Sequence, residues 1–513
     1  MKKIILLVNT VKFLKSIQIY YRFYYLLRAK IRKIIGFQYP LSQASSSVEL
    51  NFQRSIYSYE SYRESNEFKF LNLSTKFHDN IDWNYAQYGK LWTYNLNYFD
   101  FLNQEKNYPF IGVIEDFIDN QEYIKDGFES FPISLRGINW IKYLTYHNVK
   151  NRKIDDSLYA QYFRLVDSLE YHLLGNHLLE NSFSLLFGAY YFEDENLYKV
   201  AKKILVDELE EQILADGAHF ELSPMYHQIM LYRVLDCINL IEGNSWKNRE
   251  LLPIFRDKAE IMLGWLKNIS YENGDIPLLN DSANGIAPTT NELFEYAKRL
   301  ELITKKIDMK ECGYRKISTD SYELILDVGD IGPDYIPGHA HSDTFNFELH
   351  INGRPFIMDT GLSTYETNER RTTERSTSSH NTVEINGKNQ SEVWGGFRVG
   401  NRAKIIDLIE SKSIIEASHN GYLNEEKILH TRKWSFEKGK IVIEDSLNKA
   451  SDAVARLHFH PSVEKEDILK SILISTKSIK FETYQFAPAF NTLQSGICLV
   501  INFDRTLKVE IVS

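Results

Sequence analysis

Cysteine is scarce in these 513 residues. Only Cys237, Cys312 and Cys498 occur, scattered, odd in number and with no Cys-x-x-Cys pair. That excludes a disulfide framework and a thiolate zinc site, and it is compatible with a reducing compartment or a periplasmic one. Long apolar runs are lacking too, so nothing is expected to span a bilayer. The short apolar run 4–8 behind Met1-Lys2-Lys3 is brief for a signal-peptide core and no small-residue cleavage site follows. The sequence therefore predicts no signal peptide and a cytoplasmic chain. Net positive charge is also missing. At −9 the chain has no general attraction for nucleic acid, so none is expected as a partner, and an anionic substrate would need a local basic site.

The first 48 residues reverse that balance, with nine Lys/Arg and no acid. Lys12, Lys15, Arg22, Arg28 and Lys30 alternate with Phe, Ile, Tyr and Leu at helical spacing. We favour a helix packed on the body with a basic outer face. The rival is a membrane-surface helix making a peripheral contact.

Hydrophobic content of 43% and charged content of 25% describe a soluble globular protein, and the length calls for more than one core. The 32 Tyr and 30 Phe serve either packing or stacking on sugar rings. Residues 1–80 read as a basic helix and a connector. Residues 81–315 carry apolar residues at three/four spacing over 111–117, 135–146, 160–174, 182–191, 198–214, 224–241 and 252–269. Helices joined by short loops predict antiparallel pairs, an α-hairpin array or toroid. Residues 316–513 switch to short alternating runs split by Asn352-Gly353, Asn386-Gly387 and Lys438-Gly439, which predicts an antiparallel sandwich.

Three constellations carry chemistry. Asn176, His177, Glu180 and Asn181 cluster at a helix junction; Glu180, three residues on, is placed to orient the His177 ring, and a polar helix cap is the plain alternative. Ser223-Pro224 reads as an N-cap and first helical position, setting Tyr226 and His227 in a first turn whose dipole favours a phenolate. Finally, Gly338-His339-Ala340-His341-Ser342-Asp343, Asp359-Thr360-Gly361 and His380-Asn381 bring imidazoles and carboxylates onto strands and their loops. His341, Asp359 and His380 have zinc-ligand chemistry without a standard zinc spacing, so a buried polar network is the alternative.

Together with Arg136-x-x-Asn139-Trp140, these motifs resemble, in order, those of the heparinase II/III family of polysaccharide lyases, over residues 92–394. The resemblance implies an incomplete (α/α) toroid followed by an antiparallel β-sandwich, and β-elimination at a uronic acid in an acidic polysaccharide. That reaction needs a partner for the carboxylate, a base at C5 and an acid for the departing O4. Carried over, Asn176, His177, Tyr226 and His339 are catalytic, while Arg136, Glu180, Asn181 and His227 bind substrate. His341, Asp359 and His380 match positions that hold one structural Zn2+ or other divalent metal in some members. The family implies the cell envelope or periplasm, against the cytoplasmic reading of the N-terminus. Two rivals are a non-catalytic glycan-binding or assembly factor for a surface polysaccharide, and a glycoside hydrolase, which needs two facing carboxylates.

Overall fold

The computed structural model describes residues 2–476 and 478–513. Two helices come first, α1 (Lys2–Val11) and α2 (Ser16–Ile34), bent by 115° where one was expected. A three-stranded antiparallel sheet, β1 (Tyr62–Arg63), β2 (Glu67–Phe70) and β3 (Leu73–Lys76), then interrupts the connector.

The helical region follows as α3 (Lys90–Tyr98), α4 (Ile111–Asn120), α5 (Ser130–Tyr146), α6 (Arg152–Asp167), α7 (Gly175–Phe192), α8 (Glu195–Gln212), α9 (Pro224–Gly243), α10 (Leu252–Ile269) and α11 (Thr290–Arg299). Its pairings run α3–α5, α5–α7, α7–α8, α9–α10 and α9–α11, the layered arrangement of an incomplete toroid. The expected helix 160–174 is displaced. Asn151 caps α6 by accepting from Lys153 N and Ile154 N, and α6 ends at Asp167, so residues 168–174 are turns. Apolar spacing alone does not show a cap. Helices α3 and α11 went unpredicted, although the Thr289/Glu292 capping box opening α11 was readable.

The C-terminal region is two antiparallel sheets packed face to face. In spatial order the first contains Ile479–Ala489, Thr492–Phe503, Ala453–Phe459, Arg354–Ile357, Phe347–Ile351, Tyr322–Asp327 and Tyr314–Ser318, with Val383–Ile385 also paired to Ala453–Phe459. The second contains Ile405–Glu410, Ile414–His419, His430–Glu437, Lys440–Leu447, Thr506–Val512 and Ile472–Ile474. The expected hairpins form where φ > 0 is tolerated: Asn352 and Gly353 lie at 51° and 72°, Asn386 and Gly387 at 52° and 65°. Phe345, Trp434 and Phe459 fill the sandwich interior, and Trp92, Trp140 and Trp265 the helical one.

One irregular stretch, 270–289 between α10 and α11, joins the regions. Tyr271 donates to Glu348 Oε2 (3.0 Å), Leu278 N to Glu348 Oε1 (2.9 Å) and Asp281 N to His339 O (3.1 Å).

Candidate active site

Helix α7 is buried on almost every side: of its 18 residues only His177 is not buried. Such a helix is the inner member of a bundle, and its polar side chains must find partners. It starts at Leu174 and Gly175, both at positive φ. A Cβ on Gly175 would lie 2.6 Å from Glu221 Oε1, so the glycine lets Glu221 close on the helix start. Asn176 donates to that carboxylate from its backbone N–H (2.9 Å) and from Nδ2 (3.0 and 2.9 Å).

His177 is oriented by Glu170, not Glu180. Its Nδ1 lies 3.0 Å from Glu170 Oε1. Although burial opposes charge there, Glu170 raises the imidazole pKa above its ordinary value. Asn181 sits behind this pair, donating to Glu170 Oε2 (2.9 Å) and accepting from Glu170 N. It is buried and serves Glu170 rather than a substrate. Glu180 points elsewhere, both oxygens accepting from Arg233 Nε at 3.1 Å.

The start of α9 follows the expectation: Ser223 caps it, accepting from Tyr226 N, and Pro224 occupies the first turn. Ser223 Oγ also donates to Asp281 O (2.8 Å), tying the helix start to the joining stretch. The Tyr226 ring stacks on His339, centroids 3.9 Å apart, and its hydroxyl is 3.3 Å from that of Tyr365. The expected phenolate is not favoured. Burial dominates and raises the Tyr226 pKa, against smaller opposing effects of Tyr365 and Arg371. A helix terminus contributes about 0.3–1 kcal/mol, less than one pKa unit, whereas burial can shift a group by several. The phenol is held protonated.

Two expected substrate contacts are turned inward. Arg136 is fully buried, donating to Gln161 Oε1 (2.7 Å) and to the carbonyls of Asn97 and Gly127 (both 2.9 Å), with Phe117 against its guanidinium. His227 packs on Trp265, donates from Nε2 to Met262 O (3.1 Å) and accepts at Nδ1 from His219 N; burial takes its pKa down to about 3. Neither lines the cleft, which residue type does not reveal.

On the sheet side Asp281 is the hub, and the sequence reading passed over it. Its carboxylate meets His339 Nδ1 (2.9 Å), His341 Nε2 (2.8 Å) and both terminal nitrogens of Arg371 (2.5 and 2.7 Å). Despite burial, Arg371 first and the histidines next hold Asp281 well below the usual carboxylate range. His339 Nε2 is 3.3 Å from Glu221 Oε2 and 3.4 Å from Asn176 Nδ2, so the helical and sheet sides touch through it.

Behind this lies the proposed metal trio. His380 Nδ1 meets Asp359 Oδ2 at 2.7 Å, and the His341 and His380 rings are 5.3 Å apart. His341 Nδ1 and His380 Nε2 are buried without a hydrogen-bond partner. Asp359 is engaged as well by Asn346 Nδ2 (2.5 Å) and Gly361 N (2.9 Å). Among the described residues no three His, Cys, Asp or Glu side chains already converge as a metal cage.

A cleft of about 250 Å³ opens above Asn176 and Tyr226. Tyr57, Tyr59, Tyr98, Phe131, Tyr232, Tyr365 and Phe490 wall it, so part of the aromatic excess faces solvent-filled space. Its charged lining is Lys69, Arg233, Asp100, Glu180 and Glu292. His177 and His339 stand just behind the wall, against Phe131 and Tyr226 respectively.

Toroid, sandwich and a seam of Asn, Tyr and His define a two-part protein whose site needs both parts. The chain belongs to the heparinase II/III family: the family's N-terminus model matches residues 156–305 and its heparinase II/III-like C-terminal model residues 304–505. A heparin-sulfate lyase of Bacteroides stercoris is 26% identical over 254 residues, 43% of this chain and 37% of that protein. One from Pedobacter heparinus is 24% identical, over 44% and 39%. The matched stretch thus spans well under half of these relatives. Among solved structures, heparinase III superposes with a TM-score of 0.67 at 18% identity, covering 86% of this chain and 80% of that one. Heparan sulfate lyase HepC from Pedobacter heparinus gives 0.53 at 15%, over 87% and 81%. These likenesses show the fold.

Proposed function

We propose that the chain is a polysaccharide lyase that cleaves an acidic, uronate-containing glycan by β-elimination. The observation that carries this reading is the meeting of Asn176, Tyr226 and His339 at the seam, beside the His177–Glu170 pair. The uronate carboxylate is received by His177, whose charged form Glu170 favours, and by the Asn176 amide. That neutralisation makes the C5 proton removable. In the tautomer that Asp281 favours, His339 carries hydrogen on Nδ1 and offers Nε2 as the C5 base. Tyr226, protonated by its burial, gives its proton to O4. A hydrolase reading fits less well. The cleft carboxylates are each engaged, Glu180 by Arg233, Asp100 by Asn139, and Glu292 in the helix cap at Thr289.

The cleft's charge balance narrows the substrate. With two basic and three acidic groups lining it, it disfavours a densely charged polyanion and suits one whose charge is limited to its uronate carboxylates. Densely sulfated chains would meet uncompensated repulsion. The relatives' heparin-sulfate activity comes to this chain with that restriction. Digestion of unsulfated and sulfated uronate polymers, followed by near-ultraviolet absorbance of unsaturated products, tests the reading. Absence of absorbing product from every uronate polymer, the host's own surface glycan included, would sink it.

We propose also that His341 and His380, with Asp359, hold one divalent cation such as zinc. Two orphaned ring nitrogens on facing imidazoles support this. The ion would brace the sheet side of the seam and carry no chemical step. Elemental analysis of wild type against His341→Ala tests it: equal metal in both removes the assignment.

A further inference from the structure

Helices α1 and α2 are fastened to the body along one side. Trp394 Nε1 donates to Thr10 Oγ1 (3.1 Å), Gln18 Nε2 to Leu173 O (3.0 Å) and Tyr25 Oη to Leu169 O (2.5 Å). Tyr21 stacks on Tyr171 at 4.7 Å, and Arg28 and Arg32 pair with Asp167. These contacts reach both the toroid and the sandwich, so the helices are part of the fold.

The other side is uncovered. Phe23, Leu27, Ile31 and Ile34 of α2, at helical spacing, and Ile4 and Val8 of α1 are each 48–84% exposed. Monomeric soluble proteins rarely leave such a contiguous stripe in water. Lys3, Lys30 and Lys33 are also exposed, whereas Arg28 and Arg32, turned inward, are the ones neutralised by Asp167. The first 48 residues carry nine Lys/Arg and no acid, in a chain of net charge −9, so the remainder carries −18.

We propose that α1 and α2 dock the protein on a bilayer surface rich in anionic headgroups. The apolar stripe enters the interfacial layer while Lys3, Lys30 and Lys33 meet the phosphates. Charge selects this occupant. A symmetric dimer through the same face would set the exposed Lys3, Lys30 and Lys33 of two copies against each other. Among the described residues no single helix is long and apolar enough to cross a membrane; the two together are, but their 115° bend and their side-on fastening to the body suit a pair lying flat. The proposal uses nothing in the cleft and stands or falls apart from the lyase reading.

Flotation of the full-length protein with phosphatidylcholine vesicles, with and without roughly one-third phosphatidylglycerol, tests it. Binding to the anionic vesicles only, weakened by high salt, is expected. Lys30→Glu with Lys33→Glu should reduce affinity by more than about tenfold, at roughly fivefold per charge. Phe23→Asp with Leu27→Asp should abolish binding while leaving the thermal melt and any glycan cleavage unchanged. No association with either vesicle overturns the proposal. So does a sedimenting dimer that Phe23→Asp with Leu27→Asp dissociates, without vesicle binding, since it assigns the stripe to self-association.

Discussion

At Tyr226, His177 and His227 the deciding quantity is what each side chain meets, not its type. Tyr226 and His227 are neighbours in one first turn, yet the first stacks on His339 at the seam and the second is sealed against Trp265. Removing the Tyr226 hydroxyl should therefore be a chemical change. Tyr226→Phe is expected to lower kcat by about 10²–10⁴-fold, with a melting temperature close to wild type, measured by product absorbance and calorimetry. His177 and Glu170 set a pH window. The His177 pKa is raised, so its stabilisation is complete below about 6.5 and fades as pH rises through the folded value. The Glu170 pKa is lowered by His177 despite burial, so its stabilisation is complete above about 4.5 and fades as pH falls. Both are whole between those limits. Glu170→Gln should accordingly lower the melting temperature most near pH 5–6, with the gap to wild type shrinking above pH 8. An invariant gap across that range removes the pair from the account.

Elements are positioned by caps and turns, and these divide into readable and unreadable ones. Ser223-Pro224 announces α9 in the sequence, while the Asn151 cap that starts α6 does not stand out from other loop asparagines. Ser223→Ala should cost about 1–2 kcal/mol, since the hydroxyl also holds Asp281 O, and it should impair activity further by loosening Tyr226. Glycines make the same distinction. Gly361 has φ 74° and an added Cβ would lie 2.1 Å from Ala487 O, a backbone atom that cannot swing away. Gly387 has φ 65° with nothing within 4 Å. Gly387→Ala should cost about 1–2 kcal/mol for the left-handed backbone alone, and Gly361→Ala clearly more, by urea unfolding. Equal costs would show that the chain at Gly361 moves away from Ala487 freely.

For the whole molecule the critical link is Asp281 with Arg371, a buried pair that joins the stretch between α10 and α11 to the sandwich. Breaking it by Arg371→Met leaves a buried carboxylate facing two imidazoles, and should destabilise the protein by about 3–5 kcal/mol. Because His339 and His341 both lean on Asp281, the same change should alter glycan cleavage before the protein unfolds, seen as lost activity at temperatures where circular dichroism is native. Retained activity with unchanged stability would mean that the two regions are held together elsewhere, for instance through Glu348 and Tyr271.

Local patterns determined much of this protein. Periodicity of three and four against two separates the helical from the sheet region, Asn-Gly pairs place hairpins, and Ser-Pro places the turn that carries Tyr226. Each depends on residues within a few positions of one another, where backbone sterics and side-chain alternation act. Partnership was decided only in three dimensions. Glu170 rather than Glu180 holds His177, Asp281 gathers two histidines and an arginine from 58 to 90 positions away, and Arg136 and His227 turn inward. Pairing over such separations is set by how helices and sheets pack, and by the need of every buried polar group for a partner. Neither leaves a trace in residue spacing.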